Sequence, residues 1–356
     1  MKTDVVLLFP FDLGLELDFS TKQVKDIVHA VSSRELASLS LNKQNFEAVR
    51  AEFKLYRFGI GLIEVSFSIE DKPDGCAAMA CEAESINVAG EPILLWCQEC
   101  ARELIHEAQQ FAIHRYDQRL EETEIFPVFI FQPSEVKNAD QFIRNHYKAL
   151  YGIAAGEPNF DRLSDFVFQR DPLANLGYYE NELIVVKRFG AVVSSPESCT
   201  ILNLLSLIYA QYWSLKSYHF VLNGEVDTAQ RTLENLPPYY KFWKIPAQYQ
   251  QFSKDAIDFG KDKLSIVESL YNVSRDLPGI ESDWHMQIIY KNLSRTFNVE
   301  DLYKTIEIKL DRIEESYNEA REFLSTNFFI LLDFIFFAWL AWGVFDTLLL
   351  LSIARK

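Results

Sequence analysis

Four of the five cysteines fall in two pairs, Cys76-x4-Cys81 and Cys97-x2-Cys100, the spacing in this chain that comes nearest to metal chemistry. Four thiolates could hold a tetrahedral zinc ion. The first spacing is loose for that purpose, and the second pair lies beside Trp96 and Leu104 in a stretch that reads as helix. Zinc ribbons set such pairs on glycine-rich turns, and only Gly75 is at hand here. Free thiols in a core are therefore the expected reading, with no cofactor. An odd number of cysteines in a long chain fits reduced thiols better than a disulfide framework.

The other candidates are weaker. His106 and His114, eight residues apart, are expected on one face of that same helix, but no Asp or Cys completes a ligand set with them. The chain has no GxxxxGK(S/T), GxGxxG, GxSxG or HExxH, so the common phosphate cradles and metallohydrolase helices are missing. No catalytic residue is assigned and no enzyme is expected. Tyr239, Tyr240, Phe242, Trp243 and Tyr249, with Lys241 and Lys244, follow Pro237-Pro238. They read as the packing of an irregular connection, with contact at a membrane interface as the alternative. Glu314, Glu315, Glu319 and Glu322 read as a solvated helix flank, or in an oligomer as a ring that concentrates cations.

Two acids stand out by their surroundings. Asp333 and Asp346 interrupt the 26 residues from Phe328 to Ile353, of which 21 are Phe, Ile, Leu, Val, Ala or Trp. As a helix this stretch reaches about 39 Å, enough to cross a hydrocarbon core of about 30 Å once. Its 17 Leu, Ile, Phe and Val residues supply roughly −5 to −10 kcal/mol of insertion free energy, and two central Asp residues cost about +5 to +7 kcal/mol. Insertion is favourable when Asp333 lies near an interface, which leaves Asp346 inside, facing a partner or a wet cavity. The alternative is an apolar helix buried in a soluble core or an oligomer. With no signal peptide at the start, the expected topology is a tail anchor with the bulk of the chain in the cytoplasm.

The elements that must position these residues come in two halves. The 356 residues, 14% aromatic, suffice for about two domains and a sizeable core. Asp and Glu total 51 against 35 Lys and Arg, a net charge of −16, which argues against a broad nucleic-acid face. Residues 1–195 read as a mixed α/β domain. Strands are expected at Asp4–Phe9, Phe53–Ile69 (one bent strand or a hairpin), Ile125–Gln132 and Glu182–Ser194, with helices at Thr21–Val31, Glu91–Tyr116 and Ala139–Tyr151. Residues 196–325 read as helical: Pro196 to about Leu222, Tyr249–Arg275, and Ser282–Leu324. Residues 326–354 form the anchor. The fold class is thus α+β, followed by a long-helix bundle or coiled-coil stalk and one transmembrane helix.

Val299, Tyr303, Ile306, Leu310, Ile313, Tyr317, Ala320 and Leu324 are spaced 4, 3, 4, 3, 4, 3, 4. This is a 3.5-residue repeat, so a coiled-coil seam is expected, within the chain or between chains, with the inter-chain version preferred. Stalk and anchor then form one helix.

This order of parts, with the stalk IEIKLDRIEESYNEAREFL and then Leu332-Asp333-Phe334-Ile335, resembles the family named for required for meiotic nuclear division, over about residues 183–350. Its eukaryotic members are mitochondrial inner-membrane proteins that support mitochondrial translation. An equivalent tail there tends to read Leu-Glu-Trp; this chain has Asp and Phe instead, and a second acid, Asp346. The family brings no catalytic residues. The layout is also similar to CorA-type magnesium channels, which have two spans joined by a Gly-Met-Asn motif that this chain lacks. The resulting expectation is a membrane-anchored, homo-oligomeric, non-enzymatic scaffold or assembly factor with a cytosolic sensing domain, in contact with the lipid bilayer and an unidentified protein partner but not with nucleic acid. The alternative is an oligomeric ion channel or pore.

Overall fold

A computed structural model of the chain describes residues 1–17, 34–36, 39–41, 44–46, 49–88, 90–116, 119–234, 250, 252–261, 263–264, 266–267 and 283–354. The expected helix at Thr21–Val31 and the aromatic cluster at 239–249 lie outside these residues, as does 268–275, the end of the expected helix at Tyr249–Arg275. The chain divides into two units: Met1–Val221 with Val267–Lys304, and Leu222–Ile266 with Thr305–Lys356.

The first unit is a mixed sheet with helices on both faces. Its strands include β1 (Lys2–Asp12), β3 (Arg34–Leu36), β6 (Val49–Leu55), β7 (Ile60–Glu70), β11 (Phe126–Phe131), β12 (Leu183–Lys187) and β13 (Gly190–Ser194). The order is β12-β13-β11-β1-β7-β6-β3, and only β11 and β13 run parallel among these neighbours. Two smaller sheets join β2 (Leu15–Leu17) to β10 (Ala112–Arg115), and β4 (Leu39–Leu41) to β5 (Gln44–Phe46) and β8 (Asn87–Val88), the last pairing with β9 (Glu91–Pro92).

β1 lies in the middle of the main sheet, and its register with β7 runs from Lys2 opposite Glu70 to Asp12 opposite Ile60. Because successive strand residues face opposite sides, its continuous apolar run feeds two cores. Val5, Leu7, Phe9 and Phe11 join a cluster with the helices α1 (Pro73–Cys81), α2 (Ile93–Ala108) and α3 (Ala139–Ala155). Val6 and Leu8 join a second cluster with the start of α5 (Ser198–Glu234), through Ile201, Leu205, Tyr209 and Trp213, and with α6 (Trp284–Thr296), through Met286, Ile289 and Leu293. A short helix, α4 (Asp165–Arg170), follows α3 in the chain. Strands covered on both faces need apolar residues at every position. Gly61 is required where the ring of Phe11 crosses β7, since a Cβ there would lie 2.1 Å from it.

Four expectations are corrected here. The helix expected over Glu91–Tyr116 stops at Ala108, and Ala112–Arg115 becomes a strand because the edge of β2 supplies hydrogen-bond partners that a lone helical turn lacks. Glu182–Ser194 is not one strand but the hairpin β12–β13, closed at Arg188-Phe189. Ser282–Leu324 is broken at Phe297-Asn298, where Phe297 is buried in the second core and Asn298 takes a left-handed φ of 52°, a conformation Asn tolerates better than most residues. The domain boundary near 195 moves: the helices over 198–221 and 284–296 bury their apolar faces on the sheet and belong to the first unit.

The second unit contains the end of α5, the helical residues within 252–266 and the long remainder of α7 (Val299–Ala354). Ile306, Leu310, Ile313, Tyr317, Ala320 and Leu324 are all buried. Their cover comes from this same chain: the Tyr317 ring centroid is 5.6 Å from that of Phe252 and 5.2 Å from that of Phe259. At Tyr317 the stripe thus packs against helical residues of its own chain. Tyr303 is 36% exposed and Val299 packs against the second core of the first unit, so the first two repeat positions are outside this seam.

Candidate functional site

The cysteine pairs are core residues. Cys76 lies on α1, Cys97 and Cys100 on α2, and all three belong to the first core, with Cys81 half-buried. Burial pushes the Cys76 thiol up to about 12 and raises Cys81 and Cys97 as well, so the thiolate that binds metal is disfavoured. Among the described residues no three His, Cys, Asp or Glu side chains converge to hold a metal ion. His106 is on α2 and His114 in β10, so they do not share a helix face.

Several charged side chains are held in pairs, with Glu64 and Glu182 buried. Glu182 accepts from Ser195 Oγ at 2.8 Å and the Tyr178 backbone N–H at 2.9 Å, and its Oε2 lies 3.0 Å from His285 Nε2. A nucleophile triad needs histidine between serine and carboxylate. Here the carboxylate is the hub, so serine gains no base, and the network ties β12 to the starts of α5 and α6. Lys54 bonds Glu64 at 2.6 Å, Arg188 chelates Glu124, Lys187 reaches Asp171 and Lys216 reaches Glu122. The resulting pairing lowers the Asp171 carboxyl.

The exception is a cleft of about 670 Å³ whose wall carries Arg102, His106, Arg115 and Arg119. A second hollow of about 240 Å³ adjoins it and shares Arg102, Ile105, Arg119 and Glu121. Arg102 and His106 are one turn apart on the exposed face of α2. Arg115 ends β10 and Arg119 lies four residues further on. Among the described residues none of these arginines is ion-paired; Arg115 donates to the Gln109 carbonyl at 3.0 Å. On the helix expected from the sequence, Arg102 and Arg115 would be about 20 Å apart, at 1.5 Å for each of roughly 13 residues. The turn back into β10 brings them to one cleft, which is why sequence reading missed it.

The wall is anchored from beneath by Asp12. Its carboxylate accepts from the backbone N–H of Gly14 and of Leu120, both at 2.9 Å, and from Ser217 Oγ. Gly14 has φ +64°, a conformation natural to glycine, and its carbonyl accepts from Tyr116 N–H at 3.0 Å. Tyr116 Oη donates to Glu16 Oε1 at 2.5 Å. One buried carboxylate thus fixes Leu120, the neighbour of Arg119, and the turn that carries Tyr116. Burial raises the Asp12 carboxyl above its ordinary value, against the lowering effect of those hydrogen bonds and of Arg119.

Asp333 and Asp346 both lie exposed on the end of α7. Around them the large apolar side chains are mostly exposed; Trp339 is 73% exposed and Trp342 70%. This helix is long and apolar enough to cross a membrane, and it is the one such helix among the described residues. No family model, curated protein or solved structure matches the chain.

Proposed function

We propose that the chain is a membrane-anchored, non-enzymatic scaffold or assembly factor whose first unit is a cytoplasmic sensing domain. The observation that carries the reading is the uncovered end of α7. Fifteen of its large apolar side chains between Phe329 and Ile353 stand at least 44% exposed, whereas every comparable run in the first unit is buried. A soluble chain does not leave an apolar patch of that extent in water, and a bilayer is the solvent that matches it. The alternative of burial within the chain's own core has no support in this geometry.

Self-association belongs to the proposal through the membrane segment and not through the stalk, because helices of the same chain cover the stalk positions. Asp346 inside a span is better tolerated against a neighbouring chain than against lipid. The test is fractionation of the full chain and of a chain ended after Leu324. The full chain is expected in the membrane pellet, resistant to alkaline carbonate and released by detergent, and the shortened chain in the supernatant. Full-length protein that stays in a high-speed supernatant without detergent overturns the reading.

A further inference from the structure

We infer that the arginine-lined cleft binds a small soluble phosphate compound of about nucleotide size, the ligand of the proposed sensing domain. The inference rests on that reading only for the word sensing; the binding is argued from the cleft itself.

The first ground is charge. The chain carries −16, and four of its cationic side chains near the sheet are held by carboxylates. In the cleft the pattern reverses: among the described lining residues, three arginines and His106 face one acid, Glu121. With acids in such excess over the whole chain, three guanidinium groups that make no ion pair among the described residues mark a place where counter-charge can come from outside. The field of an acidic surface would repel a long polyanion, so nucleic acid does not fit, while a small one can enter a local basic cleft.

The second ground is donor geometry. Guanidinium groups present planar forks of N–H donors that match phosphate oxygens two at a time. Arg102 comes from a helix, and Arg115 and Arg119 from the end and sequel of a strand, so donors approach from more than one side. Asp12 holds Leu120, and Gly14 holds Tyr116, before any ligand arrives, which reduces the ordering cost of binding. The third ground is size and floor. About 670 Å³ is within the range of small-molecule sites, and Leu13, Ile105 and the 41%-exposed ring of Phe220 supply apolar surface beside the cations. A bare inorganic ion leaves that surface unused; a phosphate joined to an organic ring uses both.

The test is calorimetric titration of the detergent-solubilised full chain with ADP, pyrophosphate and inorganic phosphate. A parallel arm uses phosphatidylcholine vesicles with and without 5% phosphoinositide. ADP is expected to bind more tightly than phosphate, and the affinity to fall as salt rises. The double variant Arg102→Gln/Arg119→Gln should bind ADP at least tenfold more weakly, with an unchanged circular dichroism spectrum. Should that double variant not fold, the exposed single variant Arg115→Gln is expected to weaken ADP by about threefold or more. No heat with any of the three soluble probes overturns the inference, as does binding that ignores the arginine substitutions. Binding seen only with phosphoinositide vesicles also overturns it, in favour of a lipid headgroup. Membrane fractionation does not depend on this cleft, so failure here leaves the anchor standing and failure there leaves the cleft standing.

Discussion

Strand β1 and the end of α7 are both long apolar runs, yet Val5 to Phe9 are buried on two faces of a sheet while Phe329, Phe337, Trp339 and Trp342 are more than 60% exposed. Composition alone does not separate them. The difference is the supply of partners. β1 has β7 and β11 at its edges and helices above and below, so its backbone and its side chains are both satisfied from within. α7 satisfies its backbone alone, as any helix does, and from Phe329 to Ile353 most of its large apolar side chains stay exposed. An element that is self-sufficient in hydrogen bonds but not in apolar contacts is what a bilayer accepts.

The seam before that point is the sharpest place to break the comparison. Leu310→Asp with Ile313→Asp puts two charges into the buried stripe of the second unit, at a cost of several kcal/mol each. The expected outcome is loss of helical signal without a well-folded intermediate of lower mass, read by circular dichroism and light scattering. A clean fall in mass with helicity kept would return the stripe to an inter-chain role.

A smaller effect sharpens the contrast itself. Phe9→Ala in β1 should cost about 3–5 kcal/mol, as large buried side chains do, measured by hydrogen exchange of the β1 amides. Phe337→Ala should change the same amides by less than about 0.5 kcal/mol. Equal effects would mean that the apolar end of α7 has cover after all.

The smallest predicted change is in pH dependence. The Asp12 carboxyl is raised above its ordinary 3.8 by burial, so the folded state holds that proton more tightly than the unfolded one. The sign follows from linkage: this group's contribution becomes more favourable as pH falls through the raised folded value towards 3.8, and is least favourable at neutral pH. Asp12→Asn removes the titration. The stability of the original chain relative to that variant should therefore rise between pH 7 and pH 4 in urea midpoints of the first unit. A constant difference would show that Asp12 does not titrate with folding.

How much of this was legible in the sequence follows the range of the contacts involved. β1, β11, α3 and the apolar end of α7 announce themselves locally, by runs of Val, Leu, Ile and Phe or by a sustained helical period. The strand Ala112–Arg115 does not, because its character comes from pairing with Leu15–Leu17, almost 100 residues away. The break at Asn298 depends on Phe297 finding Phe126 and Tyr209 in the core. The 3.5-residue stripe states that a partner helix exists but is silent on which chain owns it. The cleft was the least legible feature, since its arginines meet only after α2 ends early and the chain turns back.

The central claim is that lipid covers the end of α7. It is tested most directly by tryptophan fluorescence of the full chain in vesicles of lipids brominated along their acyl chains. Trp339 and Trp342, exposed in the middle of the apolar stretch, should be quenched by bromine near the bilayer centre, and the variant Trp339→Phe/Trp342→Phe should lose that quenching. Emission from the original chain that is indifferent to the brominated lipid would contradict the account.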